Sequence, residues 1–236
     1  MDAPPLSRRE RLRAETVREI RTVAFQCLAD GGVDALSLRA IARQMGMTAA
    51  ALYTYYDTRD DLLDALATDV YTALAQSLEA ARESRPAGDT AGRLMAHGVA
   101  YREWAVARPH EFRLLYGGSG QGGQAPSGRA AAAAEHRVCL GLLGLVAAAW
   151  PEARERQPGR GHKWAEFDQD FIALARAAHP GLPAAAIALT LRVWGRMHGL
   201  VALEVAGILA PRAQDAARLY RDEMRDLTWS LGIGSE

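Results

Sequence analysis

The amino-acid sequence predicts an all-α protein. Apolar residues recur with helical spacing in two short segments joined at a glycine turn, residues 45–47. A third pattern starts near Thr58 and continues for about seven helical turns, and two further patterns with spacings of three and four residues close the chain. These observations favour a small three-helix head with a helix-turn-helix, followed by a larger helical region.

The first helix is predicted from apolar residues between Val17 and Leu28, and Gly31 and Gly32 end it. Residues 8–21 contain six arginines and three glutamates, a local balance of +3. This basic start either approaches a DNA backbone or is an ordinary solvated face. Both interpretations agree with the pattern.

The helix-turn-helix lies within residues 36–63. Ser37 is a good N-cap because its hydroxyl can accept a hydrogen bond from a free amide at the helix start. Gly46 suits the sharp turn because glycine tolerates positive φ, and Thr48 can cap the second helix. The first helix of the pair buries one face, formed by Leu38, Ile41, Ala42 and Met45.

Leu52 and Tyr56 face inward in this pattern, which leaves small and hydroxyl-bearing residues on the outer face of the second helix. Small side chains let a helix sit deep in the major groove, while hydroxyls and guanidinium groups bind phosphates. An ordinary helical hairpin is the alternative. The predicted DNA contacts are Ser37, Arg39, Arg43, Thr48, Ala49, Ala50, Tyr53, Thr54, Tyr55 and Arg59.

Over residues 12–64 the chain resembles the TetR family of bacterial transcription regulators. The resemblance rests on Leu38-Arg39-Ala40-Ile41-Ala42, the turn at Gly46, Leu52-Tyr53-x-Tyr55-Tyr56 and Thr58-Arg59-Asp60-x-Leu62-Leu63. It implies that the second helix enters the major groove and that Arg59, where the family usually has lysine, meets a phosphate. Tyr56 stands where phenylalanine is usual.

Composition and motifs argue against a membrane protein, a metal-binding protein and an enzyme. The net charge is zero, so phosphate binding has to come from a local patch. No apolar run approaches the ~20 residues that span a bilayer, and we expect a cytoplasmic protein without a membrane partner. The six histidines show no metal spacing, and the common hydrolase and metalloprotease motifs are absent. We therefore expect no metal, no cofactor and no enzyme; the alternative is a catalytic site built from residues distant in the sequence.

The long helix after Thr58 is predicted to end at residues 85–88, and we place a domain boundary inside it. The head then occupies residues 8–64 and the second region residues 65–236. Further helices are predicted over residues 94–105, 110–116, 130–150 and 164–178, with a glycine-rich flexible loop at 117–128.

The last two helical patterns predict an interface between two copies of the chain. The resemblance implies that the final two helices of each subunit form a four-helix bundle, and Trp194-x-x-x-His198-Gly199 resembles the Trp-His-Gly signature of one C-terminal subclass of the family. A dimer would present two copies of the second helix of the helix-turn-helix about 34 Å apart, which would increase the specificity for the operator. A purely intramolecular core is the alternative. The predicted interface residues are Gly195, Gly199, Ala202, Ala206, Ala217, Tyr220, Met224 and Leu227.

Aromatic, sulfur and imidazole side chains concentrate in the second region, as in apolar ligand pockets with a few polar groups. The same residues would also suit a packed core. The predicted pocket residues are Tyr101, Trp104, Phe112, Trp164, Phe167, Trp194, Met197 and His198. The sequence thus predicts a homodimeric regulator, a repressor that binds a palindromic double-stranded DNA operator and is released by a small apolar or aromatic effector. An effector-independent DNA-binding dimer or an activator is the alternative, and an enzyme is a remote one.

Overall fold

A computed structural model describes residues 7–117, 128–157 and 161–234. Within these ranges the chain forms ten α-helices and short 3-10 turns, and it contains no strand. The all-α prediction is confirmed. The predicted glycine-rich loop at 117–128 lies outside the described residues except for its two ends.

The helices of the N-terminal part follow the predicted order. The glycine pair ends the first helix, since Gly32 has φ 69° and donates its amide to the carbonyl of Leu28. A single 3-10 turn, Val33–Ala35, leads into the next helix. The four helices are α1 (Arg8–Gly31), α2 (Leu38–Gln44), α3 (Ala49–Tyr53) and α4 (Arg59–Glu83).

Six further helices follow. The predicted helix near residues 164–178 is shorter than expected, because Asp168 caps a helix that starts only at Gln169 and a 3-10 turn takes up residues 164–166. The six helices are α5 (Thr90–Ala107), α6 (Pro109–Tyr116), α7 (Arg129–Ala153), α8 (Gln169–Ala178), α9 (Ala184–Val205) and α10 (Ala216–Ser230).

The contacts divide the chain into two compact units. The first unit comprises residues 1–70 and 110–132, and the second comprises residues 71–109 and 133–236. The first unit buries Ile20, Ile41 and Leu52 completely. Its core therefore joins α1, α2 and α3 through the apolar positions that the helical spacing singled out.

In the second unit α5 packs against both α9 and α10. Gly98 of α5 allows a close approach, because a Cβ atom at this position would lie 2.5 Å from Cε of Met224. Leu143, Ala175 and Ile187 form another buried cluster that joins α7, α8 and α9. Contacts within the chain thus bury apolar faces of these helices.

Helix α7 differs from the expectation that no segment is apolar enough to span a membrane. The segment Arg129–Arg156 is long and apolar enough to do so by length and composition, with a mean hydropathy of 1.4. Leu143, Val146 and Ala149 on this helix are fully buried within the structure. The structure thus buries these three side chains, while 33% of the apolar window as a whole is buried.

Candidate nucleic-acid interface

Two hydroxyl caps build the helix-turn-helix. The Ser37 hydroxyl accepts a hydrogen bond from the amide of Ala40 at 3.4 Å, and the Thr48 hydroxyl accepts one from the amide of Ala51 at 3.1 Å. Gly46 lies between them with φ 68°, a conformation that side chains rarely adopt. The orientation of α3 relative to α2 is therefore set by short-range rules.

The outer face of α3 is small and polar. Leu52 is fully buried and Tyr56 is only 8% exposed, so both face inward as predicted. Tyr53 on the opposite side is 42% exposed. Of the other predicted contacts on this helix and its ends, Thr48, Ala50 and Thr54 are exposed, and Ala49 and Tyr55 are half-buried.

Two arginines on α2 extend this face. Arg39 and Arg43 are exposed, and neither makes a hydrogen bond or ion pair within the described ranges. Arg39 also lines a shallow depression of about 290 Å³, together with Ser37 and Tyr53. Both guanidinium groups are thus free to meet phosphate oxygens beside the exposed face of α3.

Arg59 has a structural role that the sequence did not reveal. Its Nε donates to the carbonyl of Leu36 at 3.0 Å, and one terminal nitrogen donates to the carbonyl of Val33 at 2.6 Å. These bonds join the start of α4 to the 3-10 turn before α2. The resemblance predicted only a phosphate contact here, because residue type does not show where a long side chain bonds in the fold.

The basic start of α1 is only partly available to DNA. Arg21 donates to the Tyr56 hydroxyl at 3.0 Å and forms an ion pair with Asp69 at 2.7 Å. Arg13 lies over the Tyr55 ring at 4.7 Å and donates to the carbonyl of Thr54. These two arginines therefore support α3 and its C-terminal end from inside the unit, a role for which the sequence carried no short-range signal.

The predicted pocket residues belong to both compact units. In the second unit, Trp164 and Phe167 pack against the Leu143 cluster. Phe112 belongs to the first unit, where its ring lies 5.2 Å from that of Tyr116. The prediction that about half of the eight residues line a ligand pocket stays a prediction, because helical spacing shows which residues are apolar but not which helices meet.

Part of the predicted set does converge on α5 and α9. The Tyr101 hydroxyl lies 2.7 Å from Nδ1 of His198, and the Trp194 ring lies 5.1 Å from the same imidazole. Burial lowers the pKa of His198, which favours its neutral form. Trp104 and Met197 are buried in the same unit, and Trp194 is 42% exposed. Tyr101, His198 and Trp194 therefore form one continuous polar-aromatic group.

The predicted dimer residues divide between two faces. Tyr220, Met224 and Leu227 are at most 1% exposed in the single chain. Their assignment to an interface between copies is corrected, because α10 must bury its apolar stripe against α5. A spacing of three and four residues cannot distinguish an internal seam from an external one.

The outer face of α9 remains free within the described structure. Gly195 and Gly199 are exposed, and a Cβ atom built on either would have no neighbour within 4 Å. Ala206 is also exposed, and Ala202 and Ala217 are half-buried. Large apolar side chains that were not predicted for this face lie beside the small residues; they are Leu191, Leu203 and, on α10, Leu219, each about two-fifths exposed.

The described residues offer no metal site, since no three acidic, histidine or cysteine side chains meet in a suitable group there. The chemistry that the first unit presents is therefore hydroxyl groups, guanidinium groups and small side chains on a short, capped helix. Groups of these kinds can bind phosphates and base edges.

Comparison with known proteins places both parts of the chain. A family model described as bacterial regulatory proteins, tetR family, matches residues 20–66. A second model, described as tetracyclin repressor-like, C-terminal domain, matches residues 94–227. An HTH-type transcriptional regulator of Mycobacterium tuberculosis is 37% identical over 143 residues, which cover 61% of this chain and 61% of the relative. The match thus spans about three-fifths of that protein's length.

Two solved structures resemble the whole chain more fully. SCO4313, a protein proposed to be regulatory, is 32% identical with a TM-score of 0.70, and the match covers 94% of this chain and 98% of that one. A protein of unknown function from Rhodococcus sp. RHA1 is 25% identical with a TM-score of 0.62, covering 88% of this chain and 92% of the other.

Proposed function

Because the chain belongs to the TetR family and is a DNA-binding transcriptional regulator rather than an enzyme, we propose that it is a ligand-responsive repressor. In this proposal a homodimer binds a palindromic operator in the cytoplasm, and a small apolar or aromatic effector releases it. Residues 8–64 bind the DNA, and residues 65–236 bind the effector and the second subunit.

The exposed face of α3 carries the proposal for DNA recognition. Tyr53 and Ala50 point away from the core while Leu52 is fully buried, so this short helix presents its outer side to a major groove. Arg39 and Arg43 then contact the phosphates beside the groove. The near-neutral chain gives little non-specific attraction, and two copies of α3 are needed for tight binding.

Substitution of Tyr53 by alanine tests whether the exposed face of α3 binds the operator. An operator is first selected from a random DNA library with the full-length protein, and its binding is then measured by fluorescence anisotropy. We expect Tyr53→Ala to weaken operator binding about tenfold or more, while thermal stability and the oligomeric state remain unchanged.

Val106→Ala is the matched control, because Val106 is also 42% exposed but lies on α5 in the second unit. It should leave operator binding unchanged. Unfolding of Tyr53→Ala, or equal loss of affinity in both variants, would refute the role proposed for Tyr53.

The apolar face of α9 supports dimerisation. Leu191 and Leu203 are exposed beside Gly195 and Gly199, and the small residues permit close approach of a second helix. We also propose that the C-terminal region belongs to the Trp-His-Gly subclass. The contact between the rings of Trp194 and His198 is consistent with a shared role for these signature residues.

Two buried hydrogen-bond donors support an effector site. Nε1 of Trp104 and the hydroxyl of Tyr220 have no hydrogen-bond partner among the described residues, although the two side chains are 3% and 1% exposed. Unpaired buried donors are costly, and an acceptor on a bound ligand would satisfy them. In this proposal the effector therefore carries at least one hydrogen-bond acceptor.

Release from DNA requires that the effector favour one conformation over another. An effector that binds both conformations equally shifts nothing, however tight its binding. A screen for compounds that raise thermal stability, followed by measurement of operator affinity, tests the coupling. Compounds that bind the protein but leave operator affinity unchanged would favour an effector-independent regulator.

A further inference from the structure

Three arginines of the second unit lie near Glu79 and Glu83, but only one of the three forms an ion pair among the described residues. Arg82 of α4, Arg93 of α5 and Arg137 of α7 contribute three guanidinium groups. Arg137 forms an ion pair with Glu79, so that this acid is already engaged. Neither Arg82 nor Arg93 has a carboxylate within ion-pair distance among the described residues.

Arg82 is held in place by a neutral partner. Its guanidinium lies 3.0 Å from Nδ1 of His97, a side chain only 2% exposed. Arginine can only donate, so Nδ1 must accept and the imidazole proton resides on Nε2. Burial, followed by the charge of Arg82, lowers the pKa of His97 to about 3, which keeps the ring uncharged near neutral pH.

Gly141 makes room for the same guanidinium. A Cβ atom at this position would lie 2.7 Å from a terminal nitrogen of Arg82. The Arg82 side chain therefore rests against the backbone of α7. Burial lowers the pKa of Arg82, and the neighbouring charges of Arg93 and Arg137 lower it further against the opposing effect of the nearby glutamates.

Arg93 lies one helical turn before His97 and therefore on the same side of α5. Its Nε is buried without a hydrogen-bond partner, and its guanidinium makes no ion pair within the parts of the chain that the structure describes. Asp89, one turn earlier, directs its carboxylate to the amide of Gly92 at 2.8 Å as the cap of α5. A buried, unpaired nitrogen on a charged group indicates a missing acceptor.

We propose that Arg82 and Arg93 form a binding site for an oxyanion, a carboxylate or phosphate group of a small molecule. The anion accepts the hydrogen bond that Arg93 Nε lacks and relieves the repulsion between the two guanidinium groups. His97 sets the direction of Arg82, and Gly141 provides the space beside it. The site requires neither DNA nor a second subunit and stands independently of the proposed repressor function.

The test uses the full-length protein without DNA. Inorganic phosphate and octanoate are titrated separately against chloride at constant ionic strength, and binding is followed by calorimetry and by the NMR signals of arginine Nε. We expect at least one of the two anions to saturate and to shift the Arg93 Nε signal. Saturation by phosphate alone would identify a phosphate site, and saturation by octanoate alone would identify a carboxylate site.

Arg93→Gln should weaken anion binding roughly tenfold or more, because a charge-assisted hydrogen bond is lost. Arg154→Gln removes the same charge from an exposed position of the second unit and should change binding less than about twofold. Arg93→Lys, which keeps the charge without the planar fork, should show an intermediate loss.

Protein stability supplies a second criterion. Since the Arg93 side chain makes no hydrogen bond among the described residues and lies near another cation, Arg93→Gln should be at least as stable as the parent protein when no anion is present. Failure of both anions to saturate, equal loss of binding in Arg93→Gln and Arg154→Gln, or unfolding of both Arg93 variants would overturn the proposal.

Discussion

The two exposed faces of this protein differ in chemistry. The face of α3 and α2 presents the hydroxyls of Thr48 and Tyr53 and the guanidinium groups of Arg39 and Arg43. The face of α9 instead presents leucine side chains and glycines, with Leu203 39% exposed. A polar face with free cations suits phosphates, whereas a contiguous apolar face suits another protein surface.

The two faces are also supported differently. The α3 face depends on side-chain caps and on Arg59, which bonds to backbone carbonyls. The α9 face depends on long helices whose opposite sides are buried, with Val193 and Val201 almost fully enclosed. A substitution on one face should therefore leave the other region folded.

Low pH should destabilise the second unit more than the first, and this is the largest effect that we expect. His97 is buried in the second unit, and its pKa falls from 6.5 to about 3. The unfolded chain binds a proton more readily between these values, so the free energy of unfolding decreases as the pH falls through this range. At about 1.4 kcal/mol for each pH unit, the full loss is on the order of 5 kcal/mol.

Hydrogen exchange measured from pH 7 to pH 4 should show protection lost around α5 before it is lost around α2 and α3. His97→Gln keeps an acceptor for Arg82 and removes the titration, so the pH dependence should flatten. His136→Gln, at an exposed position of α7, is the control and should retain it. An unchanged profile for His97→Gln would exclude His97 as the cause.

A charge on the α9 face should break the dimer. Leu203→Glu places an unpaired carboxylate in the proposed apolar contact and should raise the dimer dissociation constant about 100-fold or more. Operator affinity should fall with it, while the folded monomer remains. Val106→Glu introduces the same charge at an exposed position on α5, and analytical ultracentrifugation of both proteins distinguishes a specific interface from a general effect of charge.

Arg59 and Arg43 of the first unit allow a comparison between an arginine that supports the fold and an arginine that is exposed. Arg59→Ala removes hydrogen bonds to two backbone carbonyls and should lower the free energy of unfolding by about 2 kcal/mol. Arg43→Ala should change stability by less than about 0.5 kcal/mol, since this exposed side chain makes no internal bond.

Arg43→Ala, the variant with the smaller effect on stability, should still affect operator binding. Arg43→Ala should reduce the slope of log affinity against log salt by about 1, because one phosphate contact is lost. Denaturant unfolding and a salt titration of operator binding measure the two effects. A large stability loss in Arg43→Ala, or none in Arg59→Ala, would contradict the assignment of their roles.

The smallest expected effect concerns the cap of α3. Thr48→Ala leaves the amide of Ala51 without its side-chain acceptor and should lower stability by about 1 kcal/mol. Thr48→Ser retains the hydroxyl and is the control for loss of the methyl group. Thermal unfolding of the two variants should show that serine preserves stability and alanine does not.

Local rules predicted much of the first unit. The caps Ser37 and Thr48, the turn at Gly46 and the buried Leu52 all follow from interactions within four residues along the chain. Such interactions depend on residue type and spacing, which a sequence displays directly. The all-α fold and the order of the helices therefore follow from the sequence alone.

Contacts between distant residues could not be predicted in the same way. The pair Arg21–Asp69 joins residues 48 positions apart, and Tyr101–His198 joins residues 97 apart. The same limit explains why the sequence named eight candidate pocket residues without dividing them between a pocket and a core. Apolar spacing shows that a helix has a face to bury, but not against which helix it is buried.

Residue type and spacing thus specify a helical protein with a capped helix-turn-helix and apolar final helices, and the resemblance of residues 12–64 to the TetR family indicates a regulator. The packing of the helices determines that Met224 lies against Gly98 inside the chain, while Leu203 stays exposed beside Gly199. It also determines that Arg59 bonds to backbone carbonyls and that Nε of Arg93 has no hydrogen-bond partner in the part of the chain that the structure describes. The sequence does not predict these features, because burial and pairing depend on which helices pack together. Helical periodicity does not show which helices do so.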